Sequence, residues 1–229
     1  MVSPPHQSSQ RRSEKTGERK GQAGHGKAAR KAARRNPLDS ETLRDLALSY
    51  TARYATTGAK LEAYLARKIR ERGVAEDGEG RLVELDVGAL VARLVELGYV
   101  DDDAFARARS RDLTTRGYGA RRVEQALWAA GVEEEVRGEH APGEAERRRA
   151  AMLMARKRGF GPYARGEAAE AEDEPSPPID PARREKQIAA MLRAGHDYEY
   201  VRKVLEASVR ADLEDWLAEA EAEEEDQRR

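Results

Sequence analysis

Arginine and lysine, gathered at three places, are the residues whose types and spacing could do chemistry in this chain. Arg116, Arg121 and Arg122 surround Tyr118. Arg147, Arg148, Arg149, Arg156, Lys157 and Arg158 load one helical stretch, and Arg202 with Lys203 closes the series. A guanidinium group binds phosphate or carboxylate through two parallel hydrogen bonds. Three readings fit these clusters: contact with DNA phosphates, contact with an acidic protein surface, or an ordinary solvated helix face.

Other chemistry finds little support. No G-x-x-x-x-G-K-[ST] loop is present, so the chain is not itself a P-loop nucleotide hydrolase. The four histidines, His6, His25, His140 and His196, are scattered without metal-ligand spacing. Asp101, Asp102 and Asp103 are better explained as helix-start residues than as cation ligands. There is no cysteine, which excludes disulfides, thiolate zinc sites and thiol catalysis. No Ser, Lys or Asp stands in a nucleophile context. We expect neither catalytic residues nor a cofactor nor a metal. Tyr118 and Phe160 are expected as packed turn anchors, since single-strand binders usually present several aromatics.

The elements that must position the basic clusters are helices. The chain has 229 residues, 37% of them charged, with 42 Lys+Arg against 43 Asp+Glu. Only 5% are aromatic, which suits many thin helices with modest shared cores better than one large core. The near-zero net charge hides two blocks. Residues 1–36 carry a basic arm that includes Arg11, Arg12, Lys27 and Arg34, and the end from Asp212 onward is acidic. The arm lacks apolar periodicity and is expected to be disordered. It also lacks an apolar leader, and no apolar run reaches the roughly 18 residues of a membrane span, which predicts a cytoplasmic protein.

Between these ends the apolar residues recur at helical spacing. Leu43, Leu46, Ala47 and Tyr50 form one stripe, Leu61, Leu65 and Ile69 a second, and Val87, Leu90, Val91 and Leu94 a third. Asp101 predicts an N-cap, with Val100 and Phe105 as a hydrophobic staple around it. Val123 and Leu127 mark the next helix, Arg147–Arg158 another. Asp180 and Asp197 predict caps for two more, Asp180 with Pro181 at the first helical position. Leu213, Trp216 and Leu217 suggest a last helix that extends into the acidic tail. No alternating pattern of strand length occurs.

One pattern repeats. Arg116-Gly117-Tyr118-Gly119 and Arg158-Gly159-Phe160-Gly161 are two copies of one turn. Arg72-Gly73, Ala130-Gly131 and Ala194-Gly195 mark another. The expected fold is all-α: tandem three-helix repeats in an elongated curved array, with disordered termini. The expected divisions are a basic arm over 1–36, repeats over 37–100, 101–146 and 147–208, an acidic Pro-rich insertion over 164–181, and an acidic helix or tail over 209–229. A single triplet buries little apolar surface, so stacked triplets stabilise each other.

The stretch Glu96-Leu97-Gly98-Tyr99-Val100-Asp101-Asp102-Asp103-Ala104-Phe105-Ala106 resembles the signature of the RecX family, and Arg116–Val123 resembles its continuation. Ala59–Leu65, Arg158–Gly161 and Tyr198–Leu205 are similar to further family segments. The resemblance spans roughly residues 40–208 by the extent of these segments. It implies a non-enzymatic regulator that lies in the groove of the RecA–DNA filament and modulates, most simply by inhibition, its ATP hydrolysis and strand exchange. Recombination and DNA repair would then be the processes regulated. The implied partners are the RecA filament and single- or double-stranded DNA without sequence specificity. The protein would work as a monomer away from membranes. Tyr118, Arg121, Arg122, Arg156, Lys157, Arg202 and Lys203 are the expected contact residues. Two other readings stand beside this one: a helix-turn-helix-like DNA-binding module, and a helical scaffold for an unrelated protein. The basic arm, the insertion and the acidic tail depart from the family pattern.

Overall fold

The structure, a computed structural model, describes residues 36–164 and 180–229. The expected basic arm, up to residue 35, and most of the acidic Pro-rich insertion lie outside the described residues. Ten α-helices follow one another: α1 Ser40–Thr51, α2 Gly58–Arg72, α3 Val87–Glu96, α4 Asp102–Thr115, α5 Ala120–Trp128, α6 Glu134–Glu139, α7 Glu144–Arg158, α8 Pro181–Arg193, α9 Tyr198–Glu206 and α10 Ala211–Gln227. A 3-10 turn at Gly161–Tyr163 follows α7. Among the described residues there is no strand, only two isolated bridges. No described helix is long and apolar enough to cross a membrane.

The described chain divides into two compact units. The smaller holds Lys68–Leu85 with the segment up to Ser40. There Leu38, fully buried, exchanges backbone hydrogen bonds with Gly73 and Ala75, both at 2.9 Å. Asp77 closes the loop that follows: its Oδ1 accepts from the N–H groups of Glu79 (2.8 Å) and Arg81 (2.9 Å).

The larger unit holds Glu41–Arg67 and Asp86–Arg229. Its helices begin and end where local chemistry directs. Asp101 accepts from the Ala104 N–H at 2.8 Å, and Val100 beside it is buried. Asp180 caps α8 through the Arg183 N–H at 3.1 Å, with Pro181 at the first position. Asp197 departs from expectation. It stands at the N-cap of α9 but makes no cap bond, and its carboxylate pairs with Arg121 at 2.7 Å instead. Helix α2 starts at Gly58, earlier than its apolar stripe, because Asp102 of α4 accepts the Gly58 N–H at 2.9 Å. Helix α6 is short and buries no residue. Arg137 ties it down, donating to Glu124 and to the Val132 carbonyl, each at 2.7 Å.

Among the described residues of this unit, α4 to α10 build two apolar cores. Ala106, Leu113, Val123, Leu127, Ala130 and Val132 form one, with Phe105 and Tyr118 packed against it. Ala151, Met154, Ala155, Met191, Val201, Val204, Leu205 and Leu213 form the other. Leu213 belongs to α10, which runs to Gln227, so the last helix extends into the acidic end as its Leu213, Trp216 and Leu217 suggest.

Two junctions alike in place but not in donor join α2 to α5 and α5 to α8. The Thr57 hydroxyl, at the start of α2, donates to the Ala130 carbonyl at the end of α5, at 2.5 Å. The Gly119 and Arg121 N–H groups, at the start of α5, donate to the carbonyls of Ala194 (3.0 Å) and Gly195 (3.1 Å), just past α8. In the second junction free N–H donors of one helix N-terminus thus meet free carbonyls of another C-terminus, and in the first a side-chain hydroxyl takes the donor's place. The approach is so close that a Cβ on Gly119 would strike the Gly195 carbonyl, and one on Gly195 would strike the Arg122 backbone. Gly195 also has φ of +93°, a conformation that side chains resist. His196 follows it, buried, with Nε2 donating to the Gly117 carbonyl at 3.1 Å.

Two outcomes follow. Gly195→Ala should cost about 3 kcal/mol, roughly 6–12 °C in Tm. Gly98→Ala, left-handed but in open space, should cost only about 1 kcal/mol. Equal losses in thermal melts would refute the junction's steric role. The second concerns pH. Burial holds the His196 imidazole below its ordinary value, opposed by the Gly117 hydrogen bond and by Asp197. The unfolded chain therefore takes up a proton that the folded chain refuses, and stability falls as pH drops from about 7 to about 5. His196→Gln, which retains a donor, should flatten that slope. Chemical denaturation across the range checks it, and an unchanged slope would assign the acid sensitivity elsewhere.

Candidate functional site

Helix α4, the turn Arg116–Gly119 and helix α5 enclose a groove of about 720 Å³. Lys60 of α2 also lines it, and its N–H donates to the Thr57 hydroxyl at 3.2 Å. Four cations line the groove, Lys60, Arg109, Arg116 and Arg122, and no described carboxylate does. Asp112, outside the lining, is shared between Arg109 (3.1 Å) and Arg116 (3.4 Å). Burial, and then the charge of Arg109, push the Lys60 ammonium below its ordinary value. The groove is therefore a place where positive charge is crowded, and a bound anion would relieve it.

The aromatic groups sit among these cations. The Lys60 ammonium lies 4.6 Å from the centre of the Phe105 ring. The Arg116 guanidinium lies 5.7 Å from that of Tyr118. Trp128, at the end of α5, also lines the groove and is 69% exposed. Its partners on α5, Val123 and Leu127, are buried. A large aromatic ring left in solvent beside cations presents a face on which a flat ring can stack. Phe105 and Arg109 also border a second hollow, of about 420 Å³, lined by Tyr54, Tyr99, Ala104 and Ala108.

The expected contact residues do not all meet here. Tyr118 and Arg122 line the groove. Tyr118 is half-buried against the core, as a turn anchor should be, and its N–H donates to the Leu113 carbonyl at 3.0 Å. Lys157 reaches the groove's edge, donating to the Arg116 carbonyl at 3.3 Å. Arg156 is exposed one residue earlier in the last turn of α7. Arg121 turns away to Asp197. Arg202 and Lys203 line a different groove, of about 640 Å³, where Glu144, Glu199, Glu206, Asp212, Asp215 and Glu219 surround them and Arg148. Six carboxylates against three cations make that groove a poor seat for phosphate.

Lys60, Arg109 and Trp128 were not expected from the sequence. Trp128 had one signal: it falls off the Val123–Leu127 stripe, so packing does not account for its size. Lys60 and Arg109 had none, since other helices bring them in. A further meeting also escaped sequence reasoning. Asp103, Glu139 and His140 place their polar atoms within 4.8 Å of one another. His140 Nε2 lies 2.6 Å from one Asp103 oxygen, and Arg107 holds the other at 2.5 Å. The His140 hydrogen bond, more than the neighbouring positive charges, holds the Asp103 carboxyl below the usual range. Both Asp103 oxygens are thus taken by the chain's own groups, and the cluster ties α6 to α4.

Comparison with known proteins agrees with this architecture. A family profile described as RecX, second three-helix domain, matches residues 101–139, which hold α4, α5 and α6. The regulatory protein RecX of Myxococcus xanthus (strain DK1622) is 30% identical over 169 residues, 72% of this chain and 85% of that protein. The regulatory protein RecX of Thermus thermophilus is 34% identical over 90 residues, 37% of this chain and 63% of that one. The regulatory protein RecX of a Mycobacterium species (strain KMS) is 38% identical over 101 residues, 43% of this chain and 50% of that one. The crystal structure of RecX from Lactobacillus salivarius has the same fold, with a TM-score of 0.51 at 14% identity, over 72% of this chain and 93% of that one. The chain belongs to the RecX family of regulatory proteins.

Proposed function

We propose that this protein binds the RecA filament, touches the DNA within it through the groove of α4 and α5, and lowers ATP turnover and strand exchange. The observation that carries the DNA part is the lining of that groove: four cations, no described carboxylate and an exposed tryptophan. Cations attract the phosphate backbone whatever its sequence, and an aromatic face accepts any base. The family supports a regulatory role, and the family resemblance supplies RecA as the partner.

In this reading the three triplets 37–100, 101–146 and 147–208 are successive binding units of one monomer. Several weak contacts along a filament add affinity that no single contact provides. Tyr118 and Arg122 contact DNA together with Lys60, Arg109, Arg116 and Trp128, and Arg156 and Lys157 border that contact. Arg121, Arg202 and Lys203 belong to the protein side, because nearby carboxylates disfavour phosphate there. The protein has no catalytic step of its own in this scheme and acts in the cytoplasm.

The first test is DNA-dependent ATP hydrolysis by RecA of the same organism, with this protein titrated from well below equimolar. A substoichiometric fall is expected. A rise would keep RecA as partner and reverse the sign of regulation. No effect at equimolar protein, with no filament binding, would overturn the proposal. A sequence-specific footprint would favour the helix-turn-helix-like module in its place. The second test maps the groove. Trp128→Ala should weaken binding of a single-stranded oligonucleotide roughly tenfold. Arg122→Ala should lower the salt dependence by about 0.7 log units per log unit of salt. Arg202→Ala should leave both within twofold. Equal effects at all three positions would remove the groove from the DNA contact.

A further inference from the structure

Helix α10 is an acidic element seated on a basic one. From Ala211 to Gln227 it carries nine carboxylates and no Lys or Arg. Its partner α7 carries Arg147, Arg148, Arg149, Arg156, Lys157 and Arg158. Arg149 pairs with Glu221. Arg148 is nearly enclosed: it donates to Glu144 at 2.7 Å and to the Trp216 carbonyl, lies 4.8 Å from the centre of the Trp216 ring, and faces Glu219 at 3.8 Å. Glu224 accepts the Ala145 N–H at 2.9 Å and so caps the first turn of α7.

Taken alone, α10 is electrostatically poor. Glu219 with Glu223, and Glu221 with Glu225, stand four residues apart, where like charges face each other and repel. Carboxylates also crowd its last turns, next to the negative end of the helix dipole. Arg228 and Arg229, beyond the end, offset only Glu224 (3.4 Å) and Glu225 (2.9 Å). Glu219 and Glu221 find their cations on α7, at Arg148 and Arg149.

The basic edge of α7 also leads to the groove. Arg149 and Arg156 stand seven residues apart on one face, about 10 Å along the axis. Lys157 touches the Arg116 carbonyl at the groove's edge. A nucleic-acid backbone leaving the groove along α7 would meet Arg156 and Lys157 first, and then cations that α10 already holds.

We infer that the basic edge of α7 is a second nucleic-acid-backbone site that α10 masks in the resting chain. The acidic helix and the phosphate backbone compete for the exposed Arg149, so each weakens the other's hold by the same factor. Backbone binding then loosens α10, and neutralising α10 strengthens backbone binding. The inference rests on the proposed DNA contact and adds a regulatory element to it.

Deleting α10 would uncover the core that Leu213 completes, so the test removes charge and keeps the packing. The variant is the full chain with Glu219→Gln, Glu221→Gln, Glu223→Gln and Glu225→Gln. Leu213, Trp216, Ala220 and the Glu224 cap remain. Its affinity for a fluorescent single-stranded oligonucleotide should rise about tenfold, with a steeper salt dependence and unchanged helix content by circular dichroism. Adding Arg149→Ala to that variant should abolish most of the gain. In the unaltered protein, saturating oligonucleotide should speed hydrogen exchange across residues 211–227. Affinity within twofold of the parent, or faster exchange nowhere in α10, would overturn the masking. RecA ATP hydrolysis separates the two proposals. Tighter oligonucleotide binding that Arg149→Ala reverses, with no effect of either protein on RecA, keeps the masking and removes the RecA reading. Inhibition by the parent, with oligonucleotide binding identical in the variant, does the opposite.

Discussion

The contact that organises the larger unit is the meeting of donors at the start of one helix, N–H groups of Gly119 and Arg121 or the Thr57 hydroxyl, with carbonyls just past the end of another. Both partners would otherwise face each other unsatisfied, which is costly where water is excluded. The close approach demands small residues, and Ala130-Gly131 and Ala194-Gly195 supply them. The junction of α5 with α8 fixes the turn at Gly117, because His196 rides on the same segment. The junction of α2 with α5 fixes the start of α2 and so places Lys60 over Phe105. A groove whose cations come from α2, α4, the Arg116–Gly119 turn and α5 is thereby held by contacts at the ends of its helices.

The lining of that groove is unevenly charged. Asp112 offsets Arg109 and Arg116 from outside, and the Phe105 and Tyr118 rings face Lys60 and Arg116, while no described carboxylate lines the groove itself. In the groove of α7, α9 and α10 the balance is reversed. There burial pushes Glu144 upward, but hydrogen bonds from Tyr200 (2.5 Å) and Arg148 outweigh it and hold its carboxyl below the usual range. One groove is left wanting an anion, and the other is internally paired.

Much of the fold was legible because its signals are local. Asp101 caps the helix that its sequence context predicts, and the Arg-Gly-Tyr-Gly turn closes α4 through the Tyr118 N–H. Where the sequence misled, the partner came from far along the chain. Asp197 has the right position for a cap, but Arg121 takes its carboxylate. Helix α7 begins at Glu144, before Arg147, with a first turn capped by Glu224, 79 residues from the Ala145 N–H that it accepts. The site follows the same rule. Tyr118 and Arg122, neighbours in sequence, line one groove, whereas Arg202 and Lys203 look equally basic in sequence and lie among acids.

A formal charge of −1 therefore says little about what this chain binds. Charge acts over about a Debye length, some 8–10 Å in physiological salt, so segregation matters more than the sum. At that range an approaching polyanion senses Lys60, Arg109, Arg116 and Arg122 more strongly than the carboxylates of α10. The acidic helix exerts its effect chiefly on the basic helix that it touches. A chain built this way can be nearly neutral overall and still attract nucleic acid at one groove.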